Sequence, residues 1–165
     1  FRENRAWDFC MIVYRISKGK YKDDLSGTGA ELYGGRWNNK GVKMLYTASS
    51  IALAMSEVAV HVPYGILPKD YFVISILIPD SSIKSLDVPL LEAMHLYWQQ
   101  IPYSYETQVI GDDFINEGTS LALKVPSAVV PGDYNLILNP NHKDYHKVKV
   151  IEVKPFSFDK RIFGL

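Results

Sequence analysis

A single carboxylate in an apolar helix constrains this chain more than any other feature. Between Lys43 and Lys69 the only fully charged residue is Glu57, set in Thr47-Ala-Ser-Ser-Ile-Ala-Leu-Ala-Met-Ser-Glu-Val-Ala-Val-His-Val-Pro-Tyr64. A start signal at Ser49 or Ser50 and a stop at Pro63 predict a helix of about three turns. Ile51, Met55, Val58 and Val62 form one stripe, and Leu53 and Ala54 widen it. A helix apolar on nearly every face is expected to be buried. Burying an unpaired carboxylate is costly, so Glu57 needs either a cationic partner or a chemical task.

With 165 residues the chain can bury a real core within one domain. Lys plus Arg and Asp plus Glu number 18 each, so no net field draws the protein to nucleic acid or an anionic membrane. The one cysteine, Cys10, excludes an internal disulfide and fits a reducing, cytoplasmic setting. No apolar run has the length of a transmembrane helix, and the N-terminus shows no basic-then-apolar signal pattern. Residues 1–10 sit oddly before Met11-Ile-Val-Tyr-Arg-Ile16, which reads as a natural start. They are either a short native arm or a non-native remnant, with a single domain over 11–165.

Met11–Ile16 alternates and predicts a first strand. Ser17–Lys40 is rich in Gly, Asp, Asn and Lys and reads as a long loop with a functional task. Lys43–Ala48 predicts a strand leading into the Glu57 helix. Tyr71-Phe-Val-Ile-Ser-Ile-Leu-Ile78 reads as a buried strand ended by Pro79. Pro89–Gln100 reads as a helix with proline in its first turn, and Thr107–Glu117 as another, closed by Gly118. Leu121–Val125, Leu136–Leu138 and Val148–Val153 predict further strands, with a last edge segment at Phe156–Asp159. Helices and strands do not alternate regularly, so an α+β domain is expected rather than a doubly wound sheet.

Ser26-Gly-Thr-Gly-Ala-Glu-Leu-Tyr-Gly-Gly-Arg-Trp-Asn38 invites a phosphate-loop reading, but the third glycine of a dinucleotide fingerprint falls on Leu32. No Gly-Lys-Ser/Thr follows, so a P-loop fails as well. What remains is Gly34-Gly35-Arg36-Trp37-Asn38, in which glycines allow close backbone approach and Arg36 offers a bidentate fork for phosphate. The plainer reading is a turn with a surface arginine. Arg15, mid-strand beside Tyr14 and on one face with Val13, either pairs with a carboxylate or lines a cleft. Tyr46 ends a strand where a cleft would open. His61 lies one turn beyond Glu57, where a satisfied core histidine is the commoner fate. Ser127, in Val125-Pro-Ser-Ala-Val-Val-Pro131, has no Gly-x-Ser-x-Gly elbow, so it is an orienting hydroxyl or a turn serine rather than a nucleophile. Asn139-Pro-Asn141 follows a strand and suits pinning a loop through its amides. His142 and His146 lack a carboxylate or thiolate at ligand spacing, and no metal is expected.

Taken in order, Tyr14-Arg15, Leu25-Ser-Gly-x-Gly-Ala30, Gly34-Gly-Arg-Trp-Asn38, Leu45-Tyr-Thr47, Ala52-Leu-Ala54 through Glu57, Val125-Pro-Ser-Ala128, Asn135-x-x-Leu-Asn-Pro140 and Phe158-Asp-x-Arg161 resemble the RES domain. That family supplies the toxins of bacterial RES–Xre toxin–antitoxin pairs. The resemblance implies a fold similar to ADP-ribosyltransferases, a split mixed β core flanked by helices. It implies consumption of NAD as substrate, with release of nicotinamide by hydrolysis or phosphorolysis, or ADP-ribosyl transfer to a protein. It places Arg36, Tyr46, Glu57 and Ser127 in catalysis, with Arg15, Arg36 and Tyr46 binding NAD, and implies an Xre-type antitoxin as partner. Tyr46 would then stack on nicotinamide, and Ser127 would orient ribose or phosphate. From another class, a catalytically idle nucleotide- or partner-binding domain competes with this reading, and the intact Arg36, Tyr46, Glu57 and Ser127 set argues against it.

Overall fold

The computed structural model describes residues 10–94 and 97–165. Of the N-terminal arm expected over 1–10, all but Cys10 lies outside these residues. The chain runs through β1 (Cys10–Lys18), α1 (Thr28–Tyr33), β2 (Leu45–Ala48), α2 (Ile51–Ala59), β3 (Tyr71–Pro79) and β4 (Ile83–Ser85). It continues through α3 (Val88–Ala93), α4 (Tyr105–Glu117), β5 (Ala122–Pro126), β6 (Tyr134–Leu138) and β7 (Lys149–Phe156).

The strands form one mixed sheet in the order β4-β5-β6-β2-β1-β3-β7. Strands β4 and β5 are parallel, and the other neighbours are antiparallel. Strand β1 pairs with β3 along the whole of Cys10–Lys18, but meets β2 only where Tyr14 faces Ala48. The sheet is therefore split, with β4-β5-β6-β2 on one side and β1-β3-β7 on the other. A cleft opens where β1 and β2 diverge. This is the α+β single domain with a split mixed core expected above.

Strand β3 shows why one half holds together. Ile74, Ile76 and Ile78 are fully buried against Val13, Leu45, Leu136 and Leu138, while Val73 packs from the other face toward Ile16, Leu53 and Phe163. Each such side chain contributes about 1.5–3 kcal/mol when fully buried. The C-terminal segment is fastened by edge-to-face ring contacts of Phe158 with Tyr71, Phe156 and Phe163 at 5.3, 5.0 and 5.7 Å. In the other half, Trp37, Met44, Leu91, Trp98 and Phe114 pack on Leu123, Val125 and Ile137.

Several expectations need correction. The glycine-rich stretch is not structureless: a short 3₁₀ turn at Gly19–Tyr21, helix α1 and a Gly35–Asn38 bridge organise it. Strand β4 was not foreseen, because three residues carry no periodicity and only parallel pairing to β5 makes them a strand. Helix α3 is shorter than Pro89–Gln100: it ends at Ala93, with residues 95–96 outside the described set. The expected edge segment Phe156–Asp159 is strand only at Phe156, where β7 ends.

Helix α2 is not buried all round either. Ser50 caps it by accepting from Leu53 N at 3.0 Å, and Leu53 and Ala54 are buried. Ile51 and Val60, however, are 40% and 57% exposed. The helix packs on the sheet along one face and leaves apolar residues at its two ends exposed, so its composition resembles a core helix without being one.

Candidate active site

The split between β1 and β2 opens into a cavity of about 740 Å³. Its walls include Arg15 from β1, Tyr46 from β2, Glu57 from α2, Asn135 from β6, Arg36 from the loop after α1, and Tyr103 ahead of α4. An adjoining recess of about 210 Å³ shares Arg15, Tyr46, Glu57 and Asn135 with it. Glu57 thus stands between the two spaces.

The loop that carries Arg36 is held from three sides. Gly34 closes α1 at φ 72°, a conformation that favours glycine. A Cβ on Gly35 would lie 2.7 Å from the Tyr46 hydroxyl and 3.0 Å from Asn38 Oδ1, so only glycine fits there. Asn38 is fully buried, and its Nδ2 donates to Ala30 O, Asn39 O and Val42 O at 2.9, 3.0 and 3.1 Å. The Tyr46 hydroxyl accepts from Trp37 N at 3.0 Å and donates to Asn38 Oδ1 at 2.8 Å. Burial, first among several causes, raises the Tyr46 pKa above the ordinary tyrosine value.

Helix α4 supplies the third support. Gln108 Nε2 donates to Gly35 O and Asn38 O at 3.0 and 3.3 Å, and the Asp112 carboxylate accepts from Asn39 N and Nδ2 at 3.0 and 2.8 Å. Gly111 lets the helix approach until a Cβ there would lie 1.7 Å from Trp37 O.

Two guanidinium groups face this cavity. Arg36 Nη1 donates to Trp98 O and Gln100 O at 2.5 and 3.1 Å, and its plane lies 4.9 Å from the Tyr103 ring centre. Arg15 Nη1 donates to Asp24 O and Tyr21 O at 2.8 and 3.2 Å. Among the described residues neither arginine forms an ion pair with a carboxylate, and neither uses its other N–H groups in a hydrogen bond. Burial is the largest cause lowering both pKa values, opposed by the charges of Asp24 near Arg15 and of Glu57 near Arg36.

Glu57 has partners, but they are neutral. Its Oε1 accepts from Ser127 Oγ at 3.0 Å and from Asn135 Nδ2 at 2.7 Å. The cationic partner considered for Glu57 is therefore not what touches it. Ser127 is 1% exposed and its Oγ also accepts from Val129 N and Val130 N at 3.1 and 3.0 Å. It lies beneath the cavity wall rather than on it. His61 is exposed at the cavity rim, not a core histidine, because the chain leaves α2 before reaching it. Asn139 does pin its neighbourhood: it is fully buried, donates from Nδ2 to Ile115 O and accepts from Asn141 N.

Arg15, Arg36, Tyr46 and Glu57, each singled out from sequence, thus come together on one cavity, with Ser127 bonded to Glu57 from below. Asn135 and Asn38 stand in the motifs quoted above without a role assigned to them, and Gln108 lies outside those motifs. Asn135 carried a signal, since an amide beside Leu136-Ile-Leu138 in a buried strand needs a partner. Among the described residues no three His, Cys, Asp or Glu side chains converge to hold a metal ion, and no helix is long and apolar enough to cross a membrane.

The RES domain family model matches residues 12–159, nearly the whole of this architecture. The chain belongs to the RES domain family. A "Toxin Res" of Photorhabdus laumondii is 42% identical over 154 residues, covering 92% of this chain and 97% of that protein. The "Prs ADP-ribosylating toxin" of Sphingobium sp. is 36% identical over 140 residues, covering 85% of this chain and 87% of that one. With these relatives, the protein is a RES domain toxin. Its fold is shared with a chain in the crystal structure of the M. tuberculosis MbcT–MbcA toxin–antitoxin complex. There the TM-score is 0.70 at 18% identity, over 95% of this chain and 88% of that one.

Proposed function

We propose that this RES domain toxin consumes NAD by breaking the bond between nicotinamide and ribose. One observation carries the reading: a carboxylate held by neutral donors, Glu57, and two guanidiniums that form no ion pair among the described residues line the same cavity. A volume of about 740 Å³ lies within the range of small-molecule and cofactor sites, about 300–1,000 Å³. Arg15 and Arg36 retain N–H groups for an anionic ligand, which suits the diphosphate of a dinucleotide.

The chemistry then follows from charge. As the glycosidic bond breaks, its electron pair goes to the pyridinium nitrogen and nicotinamide leaves neutral. The ribosyl carbon becomes oxocarbenium-like, and a nearby carboxylate stabilises it. Because the leaving group is already cationic, no strong general acid is needed. Capture by water with loss of a proton gives ADP-ribose, and capture by inorganic phosphate gives the phosphorylated ribosyl product. Tyr46 borders both spaces while its hydroxyl is committed to the loop. Ser127 acts through Glu57, which it touches, rather than on the substrate.

A second acceptor, a protein side chain, is favoured by the name of the Sphingobium relative. It would use the same cavity. The toxin acts in the cytoplasm, arrests growth by draining NAD, and is silenced by an antitoxin of the Xre type, in line with the toxin–antitoxin complex that shares its fold.

The test is NAD turnover by the purified chain, with and without phosphate, following nicotinamide and the ribosyl product by chromatography and mass. Nicotinamide release by the wild type and its loss in Glu57→Gln, with the fold retained, is the expected result. Release that persists in Glu57→Gln would falsify the role of the carboxylate. Adducts of ADP-ribose on lysate proteins, with no free product, would move the acceptor to a protein.

A further inference from the structure

Glu57 is held in an asymmetric way. Both of its donors, Ser127 Oγ and Asn135 Nδ2, reach the same oxygen, Oε1. Among the described residues no donor reaches Oε2. An oxygen of a carboxylate has about two acceptor directions, so Oε1 is filled and Oε2 is left to the ligand.

We propose that Asn135 is a positioning residue for the reaction, which fixes the Glu57 carboxylate so that Oε2 alone faces the ribosyl group. The inference rests on the NAD-cleaving reading and adds a residue to it. Its geometry comes from the sheet. Asn135 stands opposite Ala48 of β2 and Val125 of β5, so ladders on both sides hold its backbone. Ser127 follows β5 directly, and its N–H donates to Asp133 O at 2.9 Å across the β5–β6 turn. One hairpin thus presents both donors to the carboxylate of α2.

The choice of an amide has a chemical reason. An ionised carboxylate accepts hydrogen bonds only, so the nitrogen end of Asn135 must face it. A lysine or arginine in its place would also hold Glu57, but would neutralise the charge that the developing ribosyl cation requires. Two neutral donors fix the carboxylate and leave its charge available. At 2.7 Å the Asn135 bond is the shorter of the two.

Asn135→Ala and Asn135→Asp separate this role from its alternatives. Kinetics of nicotinamide release from NAD would be measured for both beside wild type and Glu57→Gln, with thermal unfolding of each. Asn135→Ala is expected to lower kcat roughly tenfold or more with KM nearly unchanged. Asn135→Asp keeps the shape but sets a second carboxylate against Glu57, so it is expected to be the slower of the two. The order wild type, Asp, Ala would mean that shape matters and the donor does not, and would overturn the proposal. A raised KM with kcat retained would make Asn135 a ligand contact, and would overturn it too. Wild-type chain that releases no nicotinamide, whether alone, with phosphate or with lysate proteins as acceptor, removes the underlying reading and this inference together, whereas the first two outcomes remove the inference alone.

Discussion

The Tyr46 hydroxyl donates to Asn38 Oδ1 across 2.8 Å, which fastens strand β2 to the loop that carries Arg36. The same hydroxyl accepts from Trp37 N, so one atom meets the loop at Trp37 and at Asn38, the two residues that follow Arg36. Tyr46→Phe leaves the ring in the cavity wall and removes both bonds. A buried donor and a buried acceptor are then unsatisfied, at about 1–3 kcal/mol. The expected outcome is a lower midpoint in urea together with at least about a tenfold loss of turnover. Full activity in Tyr46→Phe would show that the loop is held adequately by α4 alone.

Gly111 tests the α4 side of the same support. An alanine there would place its Cβ 1.7 Å from Trp37 O, a backbone atom, with no flexible side-chain end to give way. Gly111→Ala is expected to destabilise by about 1–3 kcal/mol or more, the range of overpacking. Gly29 is the contrast, since it lies in α1 with nothing within 4 Å of a Cβ. Gly29→Ala is expected to be neutral or stabilising by up to about 1 kcal/mol. Chemical denaturation of both variants checks the pair, and equal effects would sink the argument.

Much of this frame is legible in the sequence because it is local. Tyr71–Ile78 shows its strand through a run of β-branched and aromatic residues, and Gly118 after Glu117 closes α4, whose start at Tyr105, capped by Ser104, lies two residues ahead of the Thr107 expected. What escapes is whatever depends on a distant partner. Strand β4 exists because β5 lies beside it, and α1 hides among glycines that read as breakers. The Glu57 neighbourhood shows the limit most clearly. The isolated carboxylate announces a special site, but its donors lie 70 and 78 residues away and arrive through the β5–β6 hairpin. The apolar faces of α2 are misleading for the same reason, since a cavity wall and a core have one composition.

Arg36 ties the segment ahead of α4 to the cavity through Trp98 O and Gln100 O, and stacks on Tyr103. Lysine keeps the charge but lacks the planar fork and the stacking face. Arg36→Lys is expected to speed amide hydrogen exchange over 97–103 while leaving β3 protected. Unchanged exchange there would mean that the segment holds its place without the guanidinium.

Alkaline pH should loosen the loop from another point. The Tyr145 hydroxyl donates to Leu25 O, and burial, the largest cause, raises its pKa from 10 to about 12. The folded state therefore favours the neutral phenol over the phenolate. Its contribution is fully present below pH 10 and is lost as pH rises through about 12. Urea midpoints are expected to fall across that window, and to fall less steeply in Tyr145→Phe. Identical slopes for the two chains would assign the loss to other groups.

Ser127 offers the sharpest separation between holding Glu57 and touching substrate. Its Oγ donates to Glu57 Oε1 and accepts from Val129 N and Val130 N, and the side chain is 1% exposed. Ser127→Ala removes one donor from the carboxylate and strands two backbone N–H groups. The stability cost is expected to be about 1–3 kcal/mol. Turnover should fall because Glu57 then relies on Asn135 alone to hold Oε1, while KM should stay near its wild-type value because the hydroxyl does not line the cavity. Steady-state kinetics beside a urea titration reads both effects. A large rise in KM with kcat preserved would place the hydroxyl on the ligand, and Glu57 would then owe its orientation chiefly to Asn135.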